Sequence, residues 1–560
     1  MSRRKHRLRQ RRAERREAAR KELPLAELVG IAERAKSSPI TEADYATLKA
    51  ALETLAFLTQ ELAAKGTTID RLRRMLFGGS TEKTDQVVPR SEDEASNGNE
   101  RASGAIDESR DSKRPGHGRN GAAAYPGAKK VRVPHVDLCA GTVCPDCEKG
   151  KVYALAEPAQ LVRVQGMAPL GATIYECERL RCNLCGEVFT AKAPEGVGDE
   201  KYDATAAAMI ALLKYGAGLP FHRIEKLQAG LGIPLPAATQ WEIVWGASKL
   251  VAAANDELIR QAAQSELVHN DDTTARILDL GSAPTEEEPA SVEDERDERT
   301  GIFTTAIVAE TSGRRIALFF TGARHAGENL ADVLARRAGG LGAPIQMCDA
   351  LSRNLPGELQ TIVANCISHA RRRFVDVVND FPDECRHLLE TLGQVYKIDA
   401  VARERSLSPG ERLALHQAES GPLMDGLEKW LRSLLSEHKI EPNSGLGEAI
   451  GYMLKHWTKL TLFLRVPGAP LDNNVCERAL KKAILHRKNA LFYKTQNGAH
   501  VGDTFMSLIH TAELNRENPF DYLVALQRHY DHVVVDPGAW MPWNYRETLA
   551  RLVEAAPASR

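Results

Sequence analysis

No run in this 560-residue sequence approaches the roughly 20 uninterrupted apolar residues that a membrane span needs. The opening residues, MSRRKHRLRQRRAERREAARK, also lack the apolar core of a secretory signal. A cytoplasmic protein with no membrane partner is therefore expected. Net charge is nearly absent too, at -1, but the balance hides segregation: residues 1–21 carry eleven Arg or Lys against two Glu. A block of like charge at a terminus is often only solvated, yet basic arms also hold phosphate backbones, which makes nucleic acid a candidate partner. A disulfide framework is equally unsupported. Ten cysteines in a cytosolic chain of this length favour metal over cross-links, and six of them lie between Cys139 and Cys185.

At this length the chain is expected to hold three or four domains, since single cores seldom grow beyond roughly 250–300 residues. Leu48, Leu55, Leu62, Ile69 and Leu76 recur every seven residues, with Ala51, Leu58 and Leu72 three positions later, the a/d seam of a short coiled coil. Lys65 and Gly66 interrupt the seam, so an amphipathic helix packed on its own chain is the alternative. Residues 86–128 are rich in Ser, Gly, Asp, Glu, Asn and Arg and cannot bury enough surface to order themselves, which reads as a linker. Beyond Ala204 apolar residues take helical spacing, and FHRIEKLQAGLGIPLPAATQWEIV reads as helix, Gly-containing turn and Pro-initiated helix, compatible with a helix-turn-helix that binds DNA or with two packed helices.

Strand-like runs follow at 266–271, 301–310, 314–320 and 344–350, with the helical pattern GENLADVLARR between the last two, so an α/β sheet domain is expected. The acidic stretch 282–299 reads as a solvated loop between strands. From His369 to about Val466 the pattern is helical, and 472–488 is a further helix.

Cys144-Pro-Asp-Cys147 and Cys182-Asn-Leu-Cys185 are two C-x-x-C pairs, each able to place two thiolates on one ion across a tight turn, and four sulfurs suit tetrahedral Zn²⁺. Cys139 and Cys177 precede each pair by five residues and rank below them as ligands. A closed four-thiolate site leaves no position for water, so this zinc is expected to be structural.

Two of the strand runs end in acids, at Asp271, Asp272 and Asp349, and Glu477 lies on the last helix. Spacing alone does not bring them together. The motifs LFGGSTEK at 76–83, PGHGR at 115–119, the cysteine pairs, HNDDT at 269–273, CISHARRRF at 366–374 and LDNNVCERALKKAILHRKNALF at 471–492 carry a wider likeness. Through them the chain resembles, nearly end to end, the transposases of the bacterial insertion sequence 66 family.

That resemblance implies a multidomain α/β protein with an RNase H-like catalytic core of the DDE type, interrupted by a helical insertion and preceded by a coiled coil, a zinc-binding module and a helical DNA-binding region. The divisions it suggests are a basic arm (1–40), coiled-coil helix (41–85), linker (86–128), zinc module (129–200), helical region (201–262), core (263–368), insertion (369–470), final core helices (471–535) and tail (536–560). It implies Asp271, Asp349 and Glu477 as the acids that hold two Mg²⁺ or Mn²⁺ ions, with Asp272 adjoining the first. The implied activity is metal-dependent cleavage and strand transfer at the ends of an insertion sequence, with DNA ends and target DNA as partners, a homo-oligomer, accessory transposition proteins and a place at the nucleoid. The family's usual Gly and aromatic residue after the second acid are here Ala350 and Leu351, and its Ala-Asp-Glu-Thr is here Asn270, Asp271, Asp272, Thr273.

Glu477, Lys481, Ile484 and Lys488 are spaced to share a helix face, placing basic side chains able to hold phosphate beside the acid. Arg478, Arg487, Arg371 and Arg372 are further candidate phosphate contacts. Asn473 and Asn474 read as helix caps or site contacts. Cys366 and His369 read as a buried pair anchoring the insertion or, less simply, as metal ligands, since two donors make a poor zinc site. The rival readings are a decayed transposase retained as a DNA-binding protein and a structure-selective nuclease of the same fold.

Overall fold

The computed structural model of the chain describes residues 200–279, 301–311 and 313–555, with shorter stretches within 31–49, 140–153 and 168–195. The basic arm at 1–21, most of the heptad seam, the 86–128 linker, the acidic stretch 282–299, and Cys139, Cys147, Cys182 and Cys185 lie outside the described residues.

The chain divides into two compact units, one of Glu92–Ser368, Ser408–Ala414 and His456–Arg560, the other of Met1–Ser91, His369–Leu407 and Leu415–Lys455. Near the start of the first unit, β1 (Arg179–Arg181) pairs antiparallel with β2 (Val188–Thr190), and Val143 forms a bridge with Lys151. Four helices follow: α1 (Ala204–Ala211), α2 (Phe221–Gly230), α3 (Ala237–Leu250) and α4 (Ala252–Ala263). Asp203 caps α1 by accepting the Thr205 and Ala206 N–H groups at 3.0 Å each. Between α2 and α3 the chain turns through Gly232 at φ +76°, and the buried Gln240 closes the turn by donating to Leu235 O at 2.9 Å and Phe221 O at 3.2 Å.

The centre of this unit is a five-stranded mixed sheet. Its strands are β3 (Leu267–Thr274), β5 (Phe303–Thr311), β6 (Arg314–Gly322), β7 (Ile345–Cys348) and β8 (Ile362–Asn365), ordered β6-β5-β3-β7-β8. The first three are antiparallel neighbours, and β7 and β8 run parallel to β3. Ala306, Ile307, Val308 and Ala309 of β5 are all buried, as a strand covered on both faces requires. One cover is α5 (Ala326–Leu334), whose Asn329 donates to Thr305 Oγ1 at 2.8 Å. The other is α7 (Asn474–Ala490), whose Cys476 thiol donates to Ala306 O at 3.2 Å. The first α-helix after α5 in sequence is α6 (Ile367–Val375). Thr305 and Ala306 are adjacent on one strand, so α5 and α7 lie on opposite faces.

Edge strand β6 would leave a row of backbone donors and acceptors open. Helix α8 (Gln496–Leu514) closes it with side chains four residues apart, matched to strand residues two apart. Asp503 accepts Thr321 N–H at 2.7 Å, Ser507 accepts Phe319 N–H at 3.0 Å, Thr511 accepts Ala317 N–H at 3.0 Å, and Asn515 just past the helix donates to Arg315 O at 2.7 Å. Four helical residues rise about 6 Å and two strand residues about 6.8 Å, so the two repeats stay in step over this length. A further two-stranded parallel pair joins β4 (Ile277–Asp279) to β9 (Tyr493–Thr495).

Part of the 536–560 segment, expected as a tail, is built into the core. Trp540, Met541 and Tyr545 are buried in the main apolar cluster, and a helix spans Tyr545–Ala555. Their aromatic area is too large to leave in water.

The second unit is helical where described, with long helices at Pro382–Glu404, Gly421–Ser436 and Gly445–Lys455. Leu388, Leu392, Leu427, Leu431, Ile450 and Met453 supply its buried apolar stripes. His416, fully buried, is held by Ser420 Oγ at 2.9 Å and Asp399 Oδ1 at 3.2 Å.

Candidate functional site

Strand pairing sets the first two acids side by side. In the parallel pair, His269 lies opposite Met347, and the same register carried two residues on sets Asp271 alongside Asp349. Glu477 stands in the first turn of α7, the helix covering the Ala306 face. Asp271 pairs with Ala306 across the sheet, and Cys476 bonds that same Ala306.

Asn473 is the joint that seats α7 on the sheet. It is fully buried, its Oδ1 lies 3.1 Å from His269 Nδ1, its Nδ2 donates to Asn270 O at 3.1 Å, and its backbone N–H donates to Cys366 Sγ at 3.2 Å. The residue occupies the N-cap position of α7, but its side chain makes no capping bond. Asn474 lies inside the helix, and both its backbone N–H and its side chain donate to Asp472, at 3.1 and 2.7 Å. Asn473 thus stands at the N-cap position but spends its amide on β3, while Asn474 bonds Asp472.

The acids feel one another. Asp271, half-buried, is pushed up to about 7, first by burial and then by the negative charges of Asp349, Asp272 and Glu477, against the pull of a 2.8 Å bond from the Asp272 backbone N–H. The flanking thiols are not nucleophiles. Burial and the nearby carboxylates push Cys348 up to about 12 and Cys476 well above its ordinary value. Burial holds His269 below the usual imidazole range, so it serves as a neutral support.

Asp272 has a different fate from Asp271. Its side chain is 1% exposed and receives His325 Nδ1 at 2.9 Å and Arg353 Nη2 at 3.2 Å, with the Ala326 N–H at 3.4 Å. Adjacent strand residues face opposite ways, so Asp272 looks toward α5. Asp349 is oriented by its own loop: its Oδ1 accepts Leu351 N–H at 3.1 Å and a close bond from Asn354 Nδ2. The loop is pinned in turn, since Asn354 O accepts Asn270 Nδ2 at 2.8 Å and Gln346 Nε2 at 2.7 Å. Gly327 allows α5 to approach it, because a Cβ there would stand 2.1 Å from Leu355 O. Sequence reasoning missed Asn354, His325 and Arg353. Glu328, three residues after His325 and bonded to its backbone N–H at 2.8 Å, is the one local signal that marks His325 as a helix start.

The expected basic contacts divide. Arg478, Lys481 and Lys488 are exposed on α7. Arg487 holds the end of β3, donating to Thr273 Oγ1 at 3.1 Å and Thr274 Oγ1 at 2.7 Å. Arg372 is exposed and Arg371 half-buried on α6, and neighbouring Arg373 lies over the Tyr452 ring at 3.9 Å. Cys366 directly precedes α6 and His369 sits in its first turn, which continues from the sheet-bearing unit. Of the expected four-cysteine site only Cys144 is described.

A mixed sheet thus presents carboxylates from two adjacent strands and a covering helix, a frame suited to binding divalent cations. The model of the family described as Transposase IS66 family matches residues 201–501, and the chain belongs to that family. Among curated relatives, it is 29% identical over 385 residues to the uncharacterized protein y4jD of Sinorhizobium fredii, covering 66% of this chain and 71% of the relative. It is 28% identical over 402 residues to the uncharacterized protein y4hP of the same organism, covering 68% and 69%. No solved structure matches. Among the described residues, no helix is long and apolar enough to cross a membrane.

Proposed function

We propose that the chain is a DDE-type DNA transposase, cutting at the ends of an insertion sequence and joining them to target DNA with Asp271, Asp349 and Glu477 as its acids. The observation that carries this reading is the shared register of β3 and β7, with Glu477 on the helix covering β3 and its other neighbour β5. Sheet order supports an RNase H-like core: in chain order the strands lie third, second, first, fourth, fifth, with the first three antiparallel and the last two parallel to the first.

The donor set fits the ions. Three carboxylates supply hard oxygen ligands, and the proton affinity of Asp271 is raised first by burial and then by the neighbouring acids, whose repulsion a cation would offset. Two Mg²⁺ or Mn²⁺ ions bound by Asp271, Asp349 and Glu477 supply activation of the attacking hydroxyl and stabilisation of the leaving oxygen. The protein's own work is placement. Asn354 and Leu351 aim Asp349, Asn473 seats the Glu477 helix on β3, and the exposed Arg478, Lys481 and Lys488 offer cations to the DNA backbone. Ala350 and Leu351 replace the family's usual residues without freeing Asp349 from its loop.

Around this core the reading includes a structural zinc on Cys144, Cys147, Cys182 and Cys185. The Val143–Lys151 bridge brackets the first pair in sequence, and β1–β2 bracket the second. DNA binding by α2 and α3, a multimer joined through the heptad seam, accessory proteins and action at the nucleoid in the cytoplasm complete it. The test is excision and joining of a plasmid-borne element by the full chain. Glu477→Gln and Asp349→Asn are expected to abolish both while retaining DNA binding; normal joining by either variant removes the site.

A further inference from the structure

The buried Asp272 sits one residue from a proposed metal ligand and yet faces away from it, committed to an arginine and a histidine side chain. Arg353 and His325 come from different elements, the turn after Asp349 and the start of α5, and meet only on this carboxylate, at 3.2 and 2.9 Å. The Phe303 ring backs both, 4.2 Å from the His325 ring and 6.0 Å from the Arg353 guanidinium. Neither is sealed in: Arg353 keeps 44% of its side chain exposed and His325 keeps 23%.

Folding alone does not account for this arrangement. A half-exposed arginine contributes little to stability through such an ion pair, while the carboxylate it meets is removed from water. A guanidinium has five N–H donors in a rigid fork. With Nη2 3.2 Å from the Asp272 carboxylate, one side of the fork lies against that acid while its exposed part is open to an anion. Its position is tied to the acids through the backbone. The residue after Arg353 is Asn354, which bonds Asp349, and the Arg353 carbonyl lies against Gly327, where a Cβ would stand 2.7 Å from it.

We propose that Arg353, held by the positioning residue Asp272 together with His325, grips a backbone phosphate of the DNA strand brought to the Asp271, Asp349 and Glu477 acids. The inference rests on the transposase reading. It explains why a second acid follows Asp271 directly: the first faces the proposed metal site, and the second orients the cation that receives the strand.

The experiment uses the full-length chain in two assays. Binding to a short fluorescent DNA duplex is measured in Ca²⁺ across a salt series, and cleavage of a plasmid carrying the gene with its flanking DNA is measured in Mg²⁺. Arg353→Gln, a change at a half-exposed position, is expected to lower the slope of log affinity against log salt by about one, as loss of one phosphate contact does. It should raise KM for DNA about tenfold with kcat changed less than about twofold, and Arg353→Lys should restore part of the salt slope. Asp272→Asn removes a negative charge, which by simple electrostatics would strengthen binding and cleavage; the positioning role instead requires cleavage to fall, about tenfold, with the salt slope kept. An unchanged slope and KM in Arg353→Gln, or faster cleavage in Asp272→Asn, overturns the inference. Glu477→Gln run in parallel separates the two levels: if it cleaves normally the transposase site itself fails, whereas its inactivity beside an unaltered Arg353→Gln sinks only the phosphate contact.

Discussion

Asp271 and Asp503 are both carboxyls pushed up to about 7, yet they reach that value by different routes. Asp503 is raised by burial alone, against two bonds from Thr321 that favour its charge, and it belongs to the ladder that closes edge strand β6. Asp271 is raised by burial and then by three other acids, Asp349 and Asp272 at the β7 and β3 strand ends and Glu477 on α7. One carboxyl is spent on the N–H and hydroxyl of Thr321; the other is crowded by its own kind. Crowding of like charge is costly to fold around and is offset by a bound cation, whereas isolation in a hydrogen-bonded core needs none. A shifted proton affinity therefore marks a functional site here only when its cause is a cluster of charges.

Matched substitutions give the sharpest break between the two. Asp271→Asn is expected to lower cleavage by about 10²–10³-fold. Asp503→Asn, which keeps an oxygen to accept Thr321 N–H, should change cleavage less than about twofold. Equal losses in the two would mean that the comparison misreads one of them. Next in size is Gly327→Ala. The added Cβ meets Leu355 O at 2.1 Å, and relieving that overlap should cost about 1–3 kcal/mol in urea unfolding and displace the Asp349 loop, lowering cleavage further than the stability loss explains.

The smallest effect is on the pH dependence of stability. Both folded-state values lie above the ordinary carboxyl value of 3.8, so between the two the folded chain retains protons that the unfolded chain has released. Their contribution is full below about 4 and is lost as pH rises through about 7. Urea unfolding across that window should show a slope that Asp503→Asn reduces with or without Mg²⁺. Asp271→Asn should reduce it only without Mg²⁺, because the cation takes the place of the proton there.

Legibility in the sequence followed the same division. The sheet was readable because its strands alternate or run apolar over lengths that nothing else fits: β3, β5, β6 and β7 fall within a few residues of the runs that announced them. Strand β8, IVAN, is too short to stand out, and α8 carries Asp503, Ser507 and Thr511 on the face that a period-based reading expects to be apolar. Those polar residues are inside because β6 is an edge, and edges are a property of topology. The placing of Asp271 beside Asp349 likewise depended on β3 and β7 being neighbours, which spacing along the chain does not encode. The family motif marked Asn473 and Asn474 but not their work, since the partners of Asn473 lie about two hundred positions upstream, at His269 and Asn270. Asp272 adjoins Asp271 in sequence, yet strand parity and its contacts with His325 and Arg353 set it on the other face.

The most direct test of a cation-binding acid cluster is Mn²⁺ binding to the full-length chain, read from the loss of the free-ion signal in electron paramagnetic resonance. The wild-type chain and Asp272→Asn are expected to take up Mn²⁺ alike, and Asp271→Asn, Asp349→Asn and Glu477→Gln to lose that uptake. Mn²⁺ bound undiminished by Asp271→Asn, or lost in Asp272→Asn, would contradict the account.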